Sequence, residues 1–202
     1  MVLHKPSCRM RLMRFDEVLR RTDGPAVASE IDALRTPGRY VLEGVHQVSS
    51  GEHWQFRLDI DDAAQTWILE RSRGPSSSYR DGIMQDEDGK SEGSFERSLA
   101  AGDVTKMALP TQLLWWGRAS ESLSPVLVQH VGTHSILVTF EHREDQAIRT
   151  TLVVDDNDGI ARRRIGRGEE ATIVTAVRSV SPEEVLPPAE FTPLTDWIRP
   201  SY

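Results

Sequence analysis

The sequence predicts an α+β domain: a single curved antiparallel sheet, an incomplete β-barrel, covered by short helices. Three observations carry that expectation. From Arg39 onward apolar and polar residues alternate, most cleanly over 53–60. There Trp54, Phe56, Leu58 and Ile60 fall on one face and His53, Gln55, Arg57 and Asp59 on the other. Such alternation belongs to a sheet with one dry and one wet face, hence to antiparallel pairing. The runs are separated by turn residues, clearest in TTLVVDDNDGIARRRI (150–165), which reads as two strands around Asp156–Gly159. Helical spacing is confined to the N-terminal stretch and two short segments in the middle.

In chain order, residues 1–13 are expected to form a flexible arm. Residues 14–35 read as a helical pair broken at Asp23-Gly24-Pro25. Phe15, Val18 and Leu19 share a face of the first piece; Val27, Ile31 and Leu34 share one of the second. Asp23 is positioned to cap the second helix, Pro25 sits in its first turn, and Thr36-Pro37-Gly38 ends it. Strands follow at 39–49, 53–60 and 66–73, the last with Trp67 and Leu69 on one face. Residues 74–93 are rich in Ser, Gly, Asp and Glu; they hold a short strand at 79–84 and a solvated loop or hairpin tip at Asp86-Glu87-Asp88-Gly89. Short helices are expected at 94–101 and at 110–116, where Pro110 starts and Gly117 follows.

The final third returns to strands at 125–131, 134–142, 147–155, 160–166 and 171–180, a meander of hairpins. The total is about eight antiparallel strands. From Pro182 the chain is rich in proline and ends FTPLTDWIRPSY. Phe191, Leu194, Trp197 and Ile198 are too apolar for a free tail, so residues 187–202 are expected to pack on the body. With neither repeat nor linker, 1–202 reads as one domain.

Composition narrows the function. The net charge of −7 and pI near 5.4 argue against a general affinity for nucleic acid, because phosphate binding needs a cationic face. Residues 1–21 run against that trend, with Lys5, Arg9, Arg11, Arg14, Arg20 and Arg21 opposing only Asp16 and Glu17. The single cysteine, Cys8, excludes an internal disulfide framework. No run reaches the ~18–20 apolar residues of a membrane span. MVLHKPSCRMRLMRF interrupts each short apolar run, unlike a secretory signal. The expected location of the chain as written is the cytoplasm, with an exported mature form as the alternative.

Candidate chemistry is sparse. His130 and His134 flank a Val-Gly-Thr turn, and two imidazoles can begin a zinc or copper site. A third ligand is missing nearby, so these read as rim histidines. Asp155-Asp156-Asn157-Asp158-Gly159 has the look of a calcium loop, but position twelve, which needs a bidentate acid, is Gly166. A tight turn explains the same residues. There is no Gly-x-Ser-x-Gly elbow and no phosphate loop. Arg162-Arg163-Arg164 alternates faces and reads as a solvated edge strand, with Arg162 and Arg164 on one side. No catalytic residue, metal or cofactor is assigned. The aromatics are the stronger lead: Trp115 and Trp116, with Trp54, Phe56, Trp67 and Phe140, either line an apolar cavity or fill the core.

The segments ALPTQLLWWGR, LVVD-x-x-x-G-I-x-x-R and the Pro-rich end with FTP, together covering 105–192, resemble the LolA/LolB-like lipoprotein-carrier superfamily, as seen in actinobacterial lipoproteins and RseB-type sensor domains. The resemblance implies a half-barrel whose apolar space between sheet and helices holds acyl chains. It would put Trp54, Phe56, Leu58, Leu114, Trp115, Ile136, Val138 and Phe140 in or near that space. Carriers of this type need an export signal, which this sequence does not show. Some relatives use the scaffold otherwise, including a cytoplasmic enzyme of pigment biosynthesis.

The expected function is therefore a non-enzymatic binding protein holding an apolar or amphipathic small molecule, such as a lipid, under the curved sheet. One alternative is an enzyme on the same scaffold, using a set such as His134, Arg162 and a carboxylate. The other is an interaction module that docks a protein partner through a strand edge or the tail.

Overall fold

The computed structural model describes residues 15–86, 91–94, 102–168 and 170–192. Its strands are β1 (Arg39–Gln47), β2 (His53–Asp61), β3 (Thr66–Arg71), β4 (Ser77–Arg80), β5 (Ile83–Asp86), β6 (Ser91–Ser94), β7 (Leu123–Val131), β8 (Ser135–His142), β9 (Arg149–Asp155), β10 (Ala161–Ile165) and β11 (Ala171–Val180). A single α-helix, α1 (Gly24–Leu34), stands beside them among the described residues. All eleven strands form one open antiparallel sheet in the order β6-β5-β4-β3-β2-β1-β11-β10-β9-β8-β7. The order is that of two meanders, β1 to β6 and β7 to β11, welded where β1 pairs with β11. One connection must then travel from the β6 edge to the β7 edge. Its described part, 102–122, crosses the inner face of the sheet.

Period-two alternation puts the apolar side chains on that face. Leu42, Phe56, Leu58, Ile60, Val128, Ile136, Val138, Phe140, Leu152 and Val154 are all buried in one core. Val27, Ala28, Ile31 and Leu34 of α1 and Met107, Leu113 and Trp116 of the crossing segment close it from the other side. Asp23 precedes α1 as expected and Pro25 lies in its first turn. The Asp23 carboxylate, however, accepts from the Arg20 backbone N–H rather than from the helix. Gly24 is required by close packing: a Cβ there would lie 2.0 Å from the Trp116 carbonyl oxygen.

Several expectations are corrected. The first piece of the predicted helical pair is not helical. Val18 bridges Leu127, and the Asp16 and Leu19 N–H groups donate to the Val128 and Val126 carbonyls at 2.8 and 2.9 Å. An open edge on β7 offers these bonds, and a helix of about two turns is too short to compete. Leu19 is buried while Val18 is 86% exposed, so the two do not share a face. The predicted helix at 110–116 shrinks to a 3-10 turn at Pro110–Gln112. Trp116 dives into the core there and donates its indole N–H to the Pro110 carbonyl at 3.1 Å.

The predicted strand at 79–84 is instead a hairpin, β4 and β5 around Asp81-Gly82, both at positive φ. With β6, this raises the strand count above eight. Ser94 ends β6 rather than starting a helix. Residues 95–101, the rest of that predicted helix, lie outside the described residues, as do 1–14, 87–90, Leu194, Trp197 and Ile198.

The triple arginine is not on an edge: β10 lies between β9 and β11. A register shift between Ala161 and Arg163 breaks strict alternation. Arg164 turns inward, 1% exposed, and Arg163 outward.

The outer face is not simply wet. Residues 181–192 run along it as a strap. Arg39 donates to the carbonyls of Ser181, Pro182 and Glu184, Arg57 donates to Pro187 at 2.6 Å, and the Ala189 N–H donates to Glu70. Beneath the strap Arg39 pairs with Asp59, and Arg57 with Glu70.

Candidate functional site

One row of the inner face departs from the apolar rule. In register across β2, β1, β11 and β10 stand Trp54, His46, Thr172 and Arg164, followed by Leu152 on β9. His46 and Thr172 are buried, and His46 Nδ1 lies 2.9 Å from Thr172 Oγ1. The His46 and Trp54 rings are 4.9 Å apart. Burial, with the nearby charge of Arg164 and Arg71, pushes the His46 pKa down to about 4 against the pull of Asp103. The ring is therefore neutral at pH 7.

At the far end of the row, Arg164 forms ion pairs with Glu170 and, at 2.5 Å, with Asp103 of the crossing segment. Its guanidinium carbon lies 5.5 Å from the Trp115 ring centroid, and Trp115 meets Phe140 edge-on at 5.4 Å. Arg164 Nε and the hydroxyl of Thr105 are buried without a hydrogen-bond partner. At the near end, one residue pair along β2 and β3, Arg71 stands beside Phe56 in register and lies over Trp54, 4.8 Å from its ring centroid. Burial lowers the Arg71 pKa. A groove of about 550 Å³ opens there, lined by His53, Trp54, Gln55, Arg71, Ser72, Arg73 and Phe191.

The residues singled out from sequence divide by depth. Phe56, Leu58, Ile136, Val138 and Phe140 are sealed in the core. Trp54 and Trp115 are half-buried and pack on its margin, at the two ends of the polar row. Leu114 is 61% exposed. Sequence reasoning missed His46, Arg71, Arg164, Thr172, Thr105 and Asp103. Two had a readable signal: His46 is in phase with Tyr40 and Leu42, and Arg71 with Trp67 and Leu69, so each is a polar residue at a dry-face position. The bulge in β10 hid Arg164.

His130 and His134 do meet, but around a carboxylate. His130 Nε2 and His134 Nδ1 lie 3.3 and 3.1 Å from the two oxygens of Asp156. Arg162 pairs with Asp155 and Asp158 in the same turn region. Among the described residues no three His, Cys, Asp or Glu side chains form a metal-holding group. No helix among them is long and apolar enough to cross a membrane.

No family model matches the chain, and no curated protein matches it. Among solved structures the chain is similar to an uncharacterized conserved protein from Thermus thermophilus. The two share 10% identity over 77% of this chain and 88% of that one, with a TM-score of 0.48. It is also similar to MucB, at 17% identity over 81% of this chain and 60% of that one, with a TM-score of 0.44.

Proposed function

We propose that this protein binds an amphipathic small molecule, such as a lipid, between the sheet and the segment that crosses its inner face. The observation that carries this reading is the polar row itself. Beside the Arg164 ion pairs that join the sheet to its cover, the buried neutral imidazole of His46 and the unpartnered hydroxyl of Thr105 facing the row add polar groups that apolar packing does not call for. Binding sites collect such groups.

The covering segment supports the same reading. Its described part contains only 3-10 turns, at Thr105–Met107 and Pro110–Gln112, so its shape rests on its contacts with the body rather than on a regular hydrogen-bond ladder of its own. Trp115 and Trp116 of the segment pack on Phe140, so lifting it uncovers Phe140 and opens the shared apolar core that also holds Phe56, Leu58, Ile136 and Val138. Trp54 and Trp115 stand at the two ends of the opening. An alkyl contact of about 300 Å² would contribute about 7–8 kcal/mol before association costs. No chemistry of the protein's own is required.

The test is native mass spectrometry of the purified protein, repeated after denaturation in organic solvent, with titration of an environment-sensitive apolar dye. A discrete extra mass that leaves on denaturation, or saturable dye binding displaced by lipid, is the expected result. A clean mass together with no saturable dye binding overturns the reading and leaves the inner face as filled core.

A further inference from the structure

We infer that the groove beside Trp54 receives an oxyanion, a carboxylate or phosphate group, on the guanidinium of Arg71. This deepens the proposed function, on which it rests for the apolar part of the ligand; the anion contact itself stands on separate observations.

The first is a missing partner. Arg35, Arg39, Arg57, Arg162 and Arg164 are buried or half-buried and each pairs with a carboxylate. Arg71 is half-buried too, yet it has no carboxylate or carbonyl acceptor among the described residues, and its Nε is buried without a hydrogen-bond partner. Burial lowers its pKa, and no acid among the described residues counteracts that effect. A guanidinium kept partly out of water without a counter-ion is costly unless something supplies one.

The second is geometry. The guanidinium carbon of Arg71 lies over the Trp54 ring, 4.8 Å from its centroid. A cation held over a ring face uses none of its N–H groups in that contact, so they stay available to an oxyanion. The third is the field. In a chain of net charge −7, this groove of about 550 Å³ is lined by Arg71, Arg73 and His53 and, among the described residues, by no carboxylate. Arg73 pairs loosely with Glu52 at 3.6 Å on the open surface. His46, neutral at pH 7, borders Trp54 and adds no charge there.

The experiment compares laurate, dodecyl phosphate, dodecanol and inorganic phosphate on the full chain and on Arg71→Gln, by calorimetry. In parallel, the arginine Nε–Hε resonances of the unsubstituted protein are followed as each probe is added. The expected result is that laurate and dodecyl phosphate bind R71Q roughly tenfold or more weakly, while dodecanol binds both proteins alike. An Nε–Hε resonance absent from Arg71→Lys should shift with laurate and stay put with dodecanol. Equal laurate affinity in both proteins, with no resonance shift, overturns the inference and leaves the proposed function intact. Shifts with inorganic phosphate but no binding of laurate or dodecanol support the anion site and reject the apolar ligand. Silence from all four probes rejects both.

Discussion

The guanidinium of Arg164 lies 5.5 Å from the ring centroid of Trp115, so a cation buried in the sheet supports an aromatic of the segment that covers it. Asp103 of that same segment pairs with Arg164 at 2.5 Å. Sheet and cover are joined by charge at one end and by apolar packing elsewhere. Arg164→Ala should lose about 2–3 kcal/mol, less than a fully enclosed pair, because Asp103 and Glu170 reach water. Arg164→Met, which keeps the packing on Trp115, should lie within about 1 kcal/mol of the parent. Urea unfolding of both variants checks this; equal losses would mean that the charge, not the packing, is what matters.

His46 gives the fold a pH dependence. Its folded pKa, about 4, is below the ordinary 6.5. As pH falls from about 6.5 to about 4, the unfolded chain takes up a proton that the folded one refuses. Stability therefore falls on acidification through that window, by roughly 2–3 kcal/mol from this group alone. His46→Gln keeps a partner for Thr172 and should flatten that part of the profile. An unchanged slope in His46→Gln would remove His46 as its source.

Phe140 and Trp115 should respond differently. Phe140 is fully buried and touches both Trp115 and Trp116, at 5.4 and 5.1 Å. Phe140→Ala should cost about 3–5 kcal/mol. Half-buried Trp115→Ala should cost about 1–2 kcal/mol while weakening apolar dye binding more than that loss explains. Parallel losses of stability and binding in both variants would reduce Trp115 to core filling.

Gly24 tests the docking of α1. Alanine is preferred to glycine in helices by about 1 kcal/mol, yet a Cβ at 24 would meet the Trp116 carbonyl oxygen at 2.0 Å. Gly24→Ala should lower stability by about 1–3 kcal/mol, read by thermal melting. A rise in Tm would show that the helix start can move away from Trp116 freely.

The legible parts of the fold were those ruled by neighbours in sequence. His53 to Ile60 alternates because each side chain of a strand faces opposite to the next, and β2 is placed where that alternation begins. Val27, Ile31 and Leu34 share a face because a helix turns every 3.6 residues, and all three are buried. The segment around Phe15 to Leu19 carries a helical pattern too, but the unpaired edge of β7 captured it, and no local signal reports a distant edge. Of the candidate site, the aromatic ends at Trp54 and Trp115 were visible; within the polar row only His46 carried a local signal, its phase with Tyr40 and Leu42, and its alignment with Thr172 and Arg164 carried none.

The sequence by itself determined the single antiparallel sheet, its dry face, the helix after Gly24 and the aromatics that meet there, because periodicity and turn chemistry act over a few residues. Tertiary structure decided that β1 pairs with β11, that Arg164 turns inward at a bulge, and that His46, Thr172 and Arg164 form one row. Those depend on register between strands far apart in the chain. A shift of one residue would send every side chain of a strand to the opposite face, and only the packed sheet fixes which register wins.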